Sequence, residues 1–167
     1  MIKIKASKET IDKLRIIADY QFRPGVGKVL FRDDSYLIVS KTTGRIRAVE
    51  DSEGVVATIR ASDHRIIPTC IGGERIRRFL KYPLLRVVVI NEFSREIGEG
   101  GNVFSKHVID IDEDLYPWDE VLVVNERDEL LAVGRLILSP HEILYYLRGV
   151  AVLTREGCWK SIEKVEM

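Results

Sequence analysis

From Leu85 onward the sequence breaks into short runs of β-forming residues separated by glycine-bearing turns, and no other feature narrows the fold so far. Leu85–Ile90 reads as a strand buried on both faces. Glycines 98, 100 and 101 make a loop ahead of Asn102-Val-Phe-Ser-Lys106, and Val108–Ile111 alternates apolar with polar. Pro117-Trp118-Asp119 is a turn. Val121–Val124 and Leu130–Leu138 form a hairpin across Asn125–Glu129, Pro140–Leu147 is a short helix, and Gly149–Thr154 with Trp159–Val165 close the sheet. Many short strands of this kind suggest a small closed or partly closed barrel. The 167 residues exclude a (β/α)8 barrel, which needs about 250.

The first half follows a different rhythm. Ser7 can cap a helix starting near Lys8, with Ile11, Leu14, Ala18 and Phe22 at helical spacing and Pro24-Gly25 as its stop. Strands are expected over Lys28–Arg32, Tyr36–Ser40, Arg45–Glu50 and Val55–Arg60, with a shorter one over Arg65–Ile67. Gly73–Lys81 reads as a second helix whose buried stripe is Ile76, Phe79 and Leu80. Tyr82-Pro83 breaks it and sets a domain boundary. The expected fold class is therefore α+β. An N-terminal antiparallel sheet with two packing helices (1–83) precedes a mixed β pseudobarrel (84–167).

A net charge of zero hides a division. Residues 1–84 carry 17 Lys and Arg against 10 Asp and Glu, and residues 85–167 carry 9 against 16. Such asymmetry suits either a polyanion held by the first half or attraction between the two halves. If the turn Asp51-Ser52-Glu53-Gly54 is symmetric, Arg45 faces Arg60 and Arg47 faces Thr58 across the hairpin. Opposed like charges are destabilising unless an anion relieves them. Arg75, Arg77, Arg78 and Lys81 occupy the other face of the second helix. Together these cations form a candidate phosphate-binding set, since the planar arginine fork suits phosphate. The alternative is that they are solvated or paired with carboxylates.

No catalytic constellation is visible, so an enzyme is not expected. Cys70 and Cys158 lack metal-ligand spacing and read as reduced buried thiols, and His64, His107 and His141 show no ligand pattern. Gly25-Val-Gly27-Lys28 lacks the full phosphate-loop spacing and feeds an expected strand. Asp110, Asp112, Glu113 and Asp114 read as a solvated acidic turn without a calcium-loop glycine. No serine or cysteine sits in a nucleophile elbow. Neither a cofactor nor a metal is implied. No run approaches the ~20 apolar residues of a membrane span, and the first residues show no apolar signal region, so a cytoplasmic protein without membrane contact is expected.

Four segments carry a family resemblance: Gly100-Gly-Asn-Val-Phe-Ser-Lys-His-Val108, Tyr116-Pro-Trp-Asp-Glu-Val-Leu-Val-Val-Asn125, Asp128-Glu-Leu-Leu-Ala-Val-Gly134 and Arg148-Gly-Val-Ala-Val152. They resemble a PUA domain, in particular that of archaeosine tRNA-guanine transglycosylase. Ala18-Asp-Tyr-Gln-Phe22, Lys41-Thr-Thr-Gly-Arg-Ile-Arg47 and Ala57-Thr-Ile-Arg60 resemble the domain preceding PUA in that family and in archaeosine synthase. The resemblance implies an archaeal tRNA-binding module that holds the acceptor stem and CCA end. The matching positions are Gly100, Gly101, Asn102, Phe104 and Lys106, with Arg135 and Arg155 as further candidates. Gly101 stands where the family usually carries a basic residue, which leaves backbone N–H groups to meet phosphate. The family's catalytic barrel, with its aspartates and zinc cluster, has no counterpart here. The expected role is non-catalytic RNA binding as an accessory module or split subunit for a separate catalytic transglycosylase. The alternative is a PUA-containing factor associated with translation and the ribosome.

Overall fold

The computed structural model describes residues 1–159. The chain divides into two compact units, Met1–Phe79 and Leu80–Met167. The strand expected over Trp159–Val165 falls, past its first residue, outside the described residues.

The first unit is a five-stranded antiparallel sheet in sequence order: β1 (Ile2–Lys5), β2 (Tyr36–Val39), β3 (Ile46–Asp51), β4 (Gly54–Ile59) and β5 (Ile66–Pro68). Its helices are α1 (Lys8–Gln21), α2 (Val26–Leu30) and α3 (Cys70–Phe79). Helix α1 begins as expected, with the Ser7 hydroxyl accepting the Thr10 N–H at 3.2 Å, and buries Ile11, Leu14 and Ala18. At its other end Gln21 replaces a missing strand neighbour. Its side-chain amide donates to the Ile66 carbonyl at 2.7 Å and its oxygen accepts the Ile66 N–H at 2.8 Å. Both polar backbone groups of an edge residue are thereby satisfied.

Two expectations fail here. Lys28–Arg32 is not a strand: residues 26–30 form α2. Short apolar runs do not separate strand from helix by period alone. The deciding contact is Gly27, whose added Cβ would lie 2.3 Å from the Arg15 carbonyl oxygen, so α2 lies directly on α1. Asp19 then accepts the Gly27 N–H at 2.7 Å, which also removes that amide from any phosphate-loop role. Helix α3 begins at Cys70 and ends at Phe79, and Phe79 is half exposed instead of completing the buried stripe. Strand β1 is not among the expected strands: Ile2-Lys-Ile-Lys5 alternates apolar with polar over only four residues, all of them exposed. Neither Cys70 nor Cys158 is a free thiol, against the expectation of reduced thiols. Cysteine number and spacing do not report oxidation state.

The second unit is a six-stranded mixed sheet in the order β7 (Val103–Phe104), β11 (Val150–Gly157), β10 (Leu130–Leu136), β9 (Glu120–Val124), β6 (Arg86–Val89), β8 (Val108–Ile111). Only the pairing of β6 with β9 is parallel. The outermost strands in this order, β7 and β8, follow each other through a 3-10 turn at Ser105–His107, so the sheet curls into a nearly closed barrel. Every residue of β6 and β9 is buried, as a strand covered on both faces requires. A 3-10 turn (Asn91–Phe93) and α4 (Ser94–Gly98) follow β6, and α5 (Pro140–Tyr145) carries a capping box at Ser139 and Glu142. The acidic stretch is structural at one point: buried Asp112 accepts the Leu85 and Asp114 N–H groups at 2.8 and 3.0 Å.

Each unit buries one arginine. In the first, Arg75 grips Asp51 at 2.7 and 3.0 Å, donates to Glu53 at 2.8 Å and to the Leu30 carbonyl at 3.2 Å. The Asp51 side chain is 0% exposed and that of Arg75 is 9% exposed. Burial alone would raise the Asp51 carboxyl, but the Arg75 hydrogen bonds, the Glu53 N–H and the nearby Arg75 and Arg32 charges outweigh it and hold it below the usual range. We expect Arg75→Met to cost about 3 kcal/mol in chemical denaturation, because it strands a buried carboxylate. A carboxyl lowered on folding stabilises above its unfolded value near ~4 and loses that contribution as pH falls through the folded value. The gap between wild type and Arg75→Met should therefore narrow as the pH is lowered through about 4.

Candidate functional site

Arg45 precedes β3 at the end of a hairpin turn and is exposed, with one guanidinium N–H donating to the Ala61 carbonyl at 3.0 Å. Arg47 lies inside a β-bulge: Ile38 pairs with Ala48, but Val39 pairs with Ile46, so Arg47 has no direct partner on β2. Its Nε is buried and hydrogen-bonds to nothing among the described residues. A second bulge, between Val49 and Glu50, shifts the β3–β4 register, so that Thr58 faces Ala48 and Ala57 faces Val49. The expected pairing of Arg47 with Thr58 is thereby corrected. A symmetric turn cannot reveal a bulge two residues beyond it.

Arg60, Arg75, Arg77 and Arg78 meet carboxylates of the unit itself. Arg60 donates through Nε to Asp63 at 2.9 Å, and this hydrogen bond leads the effects that hold the Asp63 carboxyl at about 2. Arg77 and Arg78 share Glu74, at 2.9 and 3.1 Å. Burial would raise the Glu74 carboxyl, and the two guanidinium groups together bring it below its usual range. Arg75 departs furthest from a phosphate contact, since Asp51 and Glu53 occupy its fork. Arg78 stays 75% exposed. Lys81 is exposed but lies beyond α3, at the start of the second unit.

In the second unit the glycine loop is already bonded to itself. Gly100, at φ +111°, donates its N–H to the Ile97 carbonyl at 2.9 Å, and Gly101 donates to the Glu96 carbonyl at 3.0 Å. These amides are therefore not open phosphate donors, which corrects the expectation placed on them. The loop is also pinned to β11. The Thr154 hydroxyl donates to the Gly101 carbonyl at 2.7 Å, and the Asn102 side-chain oxygen accepts the Thr154 N–H at 3.0 Å. What this loop projects is aromatic and cationic. Phe104 is 40% exposed and meets the His107 ring edge-on, while His107 stacks on Phe93 with ring centres 3.4 Å apart. Burial lowers the His107 pKa, the Lys106 charge lowers it further, and Glu96 opposes both. Lys106 itself is exposed.

Arg135 and Arg155 differ sharply. Arg155 grips buried Glu120 through two bonds of 2.9 Å, so its fork is structural. Arg135 holds its guanidinium 4.7 Å above the half-exposed Trp118 ring, and its Nε is buried without a partner among the described residues. Sequence reasoning missed Trp118, Phe93 and His107 as neighbours of the candidate residues. Trp118 was legible only as a turn residue, because its φ of +77° and its place below Arg135 arise from the β9–β10 pairing. Among the described residues no group of three His, Cys, Asp or Glu side chains could hold a metal, and no helix is long and apolar enough to cross a membrane.

Residues 12–83 match the patch-forming domain C2 of tRNA-guanine transglycosylase, and residues 85–158 match the PUA domain. The chain is a C2 domain followed by a PUA domain. It is 40% identical over 158 residues to the tRNA-guanine(15) transglycosylase of Methanobrevibacter smithii, which is 95% of this chain and 24% of that protein. Against the enzyme of the same name from Thermoplasma acidophilum the identity is 42% over 148 residues, 88% of this chain and 23% of that protein. The chain thus spans about a quarter of the curated relatives it matches, at their C-terminal end. Among solved structures, a hypothetical protein of Pyrococcus horikoshii superposes with a TM-score of 0.74 at 21% identity, over 99% of this chain and 100% of that one. A conserved PUA domain protein of Thermoplasma acidophilum gives 0.62 at 15%, over 98% and 99%. These likenesses establish the fold.

The PUA glycine loop leaves no room at Gly101, where an added Cβ would lie 2.9 Å from the Glu96 carbonyl oxygen. We expect Gly101→Ala to destabilise the PUA domain by about 1–3 kcal/mol, read as a lower denaturation midpoint. Amide shifts should concentrate at residues 96–104 in a two-dimensional NMR spectrum.

Proposed function

We propose that this chain is a non-catalytic RNA-binding module that binds tRNA for modification by an archaeosine-forming transglycosylase. The observation that carries the reading is the C2–PUA pair, 40% identical to an archaeal tRNA-guanine(15) transglycosylase across nearly the whole chain. We assign residues 1–83 to the C2 domain and 84–167 to the PUA domain. In this reading the chemistry falls to a separate catalytic transglycosylase subunit, with the complex in the cytoplasm.

The division of labour follows from which side chains are occupied. Backbone neutralisation gives salt-dependent, sequence-blind affinity, and the C2 cations supply it. Arg45, Arg47 and Arg78 lead, followed by Lys81 just beyond α3. Arg60 and Arg77 reach phosphate only by sharing with their carboxylates, and Arg75 serves the fold. End recognition belongs to the PUA loop. There Gly100 and Gly101 set the shape, Asn102 anchors it, and Phe104 and Lys106 meet RNA. Arg135, braced on Trp118, adds a further phosphate contact, and Arg155 supports the strand beside it.

Binding of a tRNA transcript, measured over a range of KCl concentrations, tests this. Arg47→Gln and Arg135→Gln should each weaken binding and reduce the log–log salt slope by about one. Phe104→Ala should instead erase the preference for intact over CCA-trimmed tRNA and leave the slope unchanged. The tRNA reading fails if the wild-type chain binds tRNA no better than a single-stranded RNA of equal length. Recovery of small ribosomal subunits instead of tRNA and a transglycosylase subunit in an affinity purification would favour the translation-factor alternative.

A further inference from the structure

A cavity of about 240 Å3 opens in the C2 unit beside Arg45 and Arg60. Its floor is aliphatic, made by Leu14 and Ile17 of α1 with Ile46 of β3 and Ile59 of β4. Its mouth lies between two hairpin turns built to the same plan. Ser40 donates to the Arg45 carbonyl while Gly44 donates back to Ser40, and Arg60 donates to the Arg65 carbonyl while His64 donates back to Arg60, all at 2.9 Å. The closing residue of each turn is left-handed, at φ +70° for Gly44 and +61° for His64. Glycine takes that conformation freely, whereas histidine does so uncommonly. The second turn therefore carries an imidazole where the first manages with none, and His64 lines the cavity.

Arg45 supplies the wall between the turns. One N–H bonded to the Ala61 carbonyl at 3.0 Å ties the guanidinium across the gap, and the residue is otherwise exposed. Guanidinium planes and aliphatic floors both accept the face of a base without reading its edges. The volume lies below the ~300 Å3 at which drug-sized ligand pockets begin, and it suits one small planar group. The surrounding half is cationic, with 17 Lys and Arg against 10 Asp and Glu in residues 1–84. The Asp63 carboxylate beside the mouth is tied to Arg60.

We propose that this cavity takes one unstacked nucleobase of the bound RNA, with the adjoining phosphate on Arg45. The inference rests on the RNA-binding reading and adds to it a base-sized pocket that is blind to sequence. The full-length chain and a tRNA transcript serve as the test, with affinity measured by fluorescence anisotropy over a range of KCl concentrations. Ala61→Trp, on an exposed turn at the mouth, fills the cavity without altering charge. It should weaken binding by about tenfold, the effect of losing one stacked base, and leave the salt slope unchanged. Arg45→Gln should lower the slope by about one. If Ala61→Trp lowers the thermal midpoint, Ile17→Gln on the helix side replaces it and should give the same loss. A wild-type chain that binds tRNA while both pocket variants bind equally well overturns the pocket and leaves the RNA reading standing. A wild-type chain with no salt-dependent tRNA binding overturns both.

Discussion

Burying a guanidinium is costly unless carboxylates and carbonyls meet its donors, and in each unit one such arginine ties several elements together. In the C2 unit Arg75 collects Asp51 at the end of β3, Glu53 in the turn that follows and the Leu30 carbonyl at the end of α2. Three separate elements are fixed by one side chain of α3. In the PUA unit Arg86, 1% exposed on β6, collects Asp128 from the β9–β10 turn at 3.1 and 3.2 Å together with the carbonyls of Leu80 and Leu84 at 2.9 Å. Desolvating an arginine is costly, and hydrogen bonds of this completeness are what offset the cost. The turns so fixed join β3 to β4 and β9 to β10, and the strands they join also carry Arg47 and Arg135.

The same logic explains why charge counting misleads. Seven net positive charges in the first half look like a reservoir for phosphate. The structure withdraws Arg75 into the core and gives Arg60, Arg77 and Arg78 carboxylates from their own turn or helix. Exposed pairs of this sort contribute little to stability, and a phosphate can compete for one partner. Arg78, at 75% exposure, remains within reach of a ligand in a way that Arg75 does not. Accessibility, more than formal charge, separates the two.

Much of the architecture was legible because it rests on local signals. Ser7 as a cap, the α1 stripe, the Val121–Val124 and Leu130 hairpin and the helix start at Pro140 all follow from periodicity and local chemistry. The misreadings share a physical origin in contacts distant in sequence. Gly27 against the Arg15 backbone turns an expected strand into α2. Bulges after Ile38 and Val49 shift a register that a symmetric turn would set otherwise. At the site, the residue types were readable but their commitments were not. No pattern around Gly100-Gly101 announces that both amides already bond to α4 carbonyls, or that Arg155 belongs to Glu120.

An acidic PUA unit that nevertheless meets RNA must restrict the contact, since 16 carboxylates against 9 cations in residues 85–167 repel a polyanion over most of the surface. The glycine loop supplies such a restriction through rigidity. With Gly100, Gly101 and Asn102 bonded to α4 and β11, the loop is held in one shape, which lowers the ordering cost of binding. What it presents is a fixed aromatic edge, Phe104 against the His107–Phe93 stack, beside the Lys106 ammonium. Burial and then the Lys106 charge push the His107 pKa below its ordinary value against the pull of Glu96, which favours the neutral ring in the stack. The platform thus offers stacking beside one exposed ammonium, and stacking is open to bases not already paired in a helix. A fixed aromatic platform beside one ammonium, on an otherwise repulsive surface, is a narrow contact suited to bases that are free to stack.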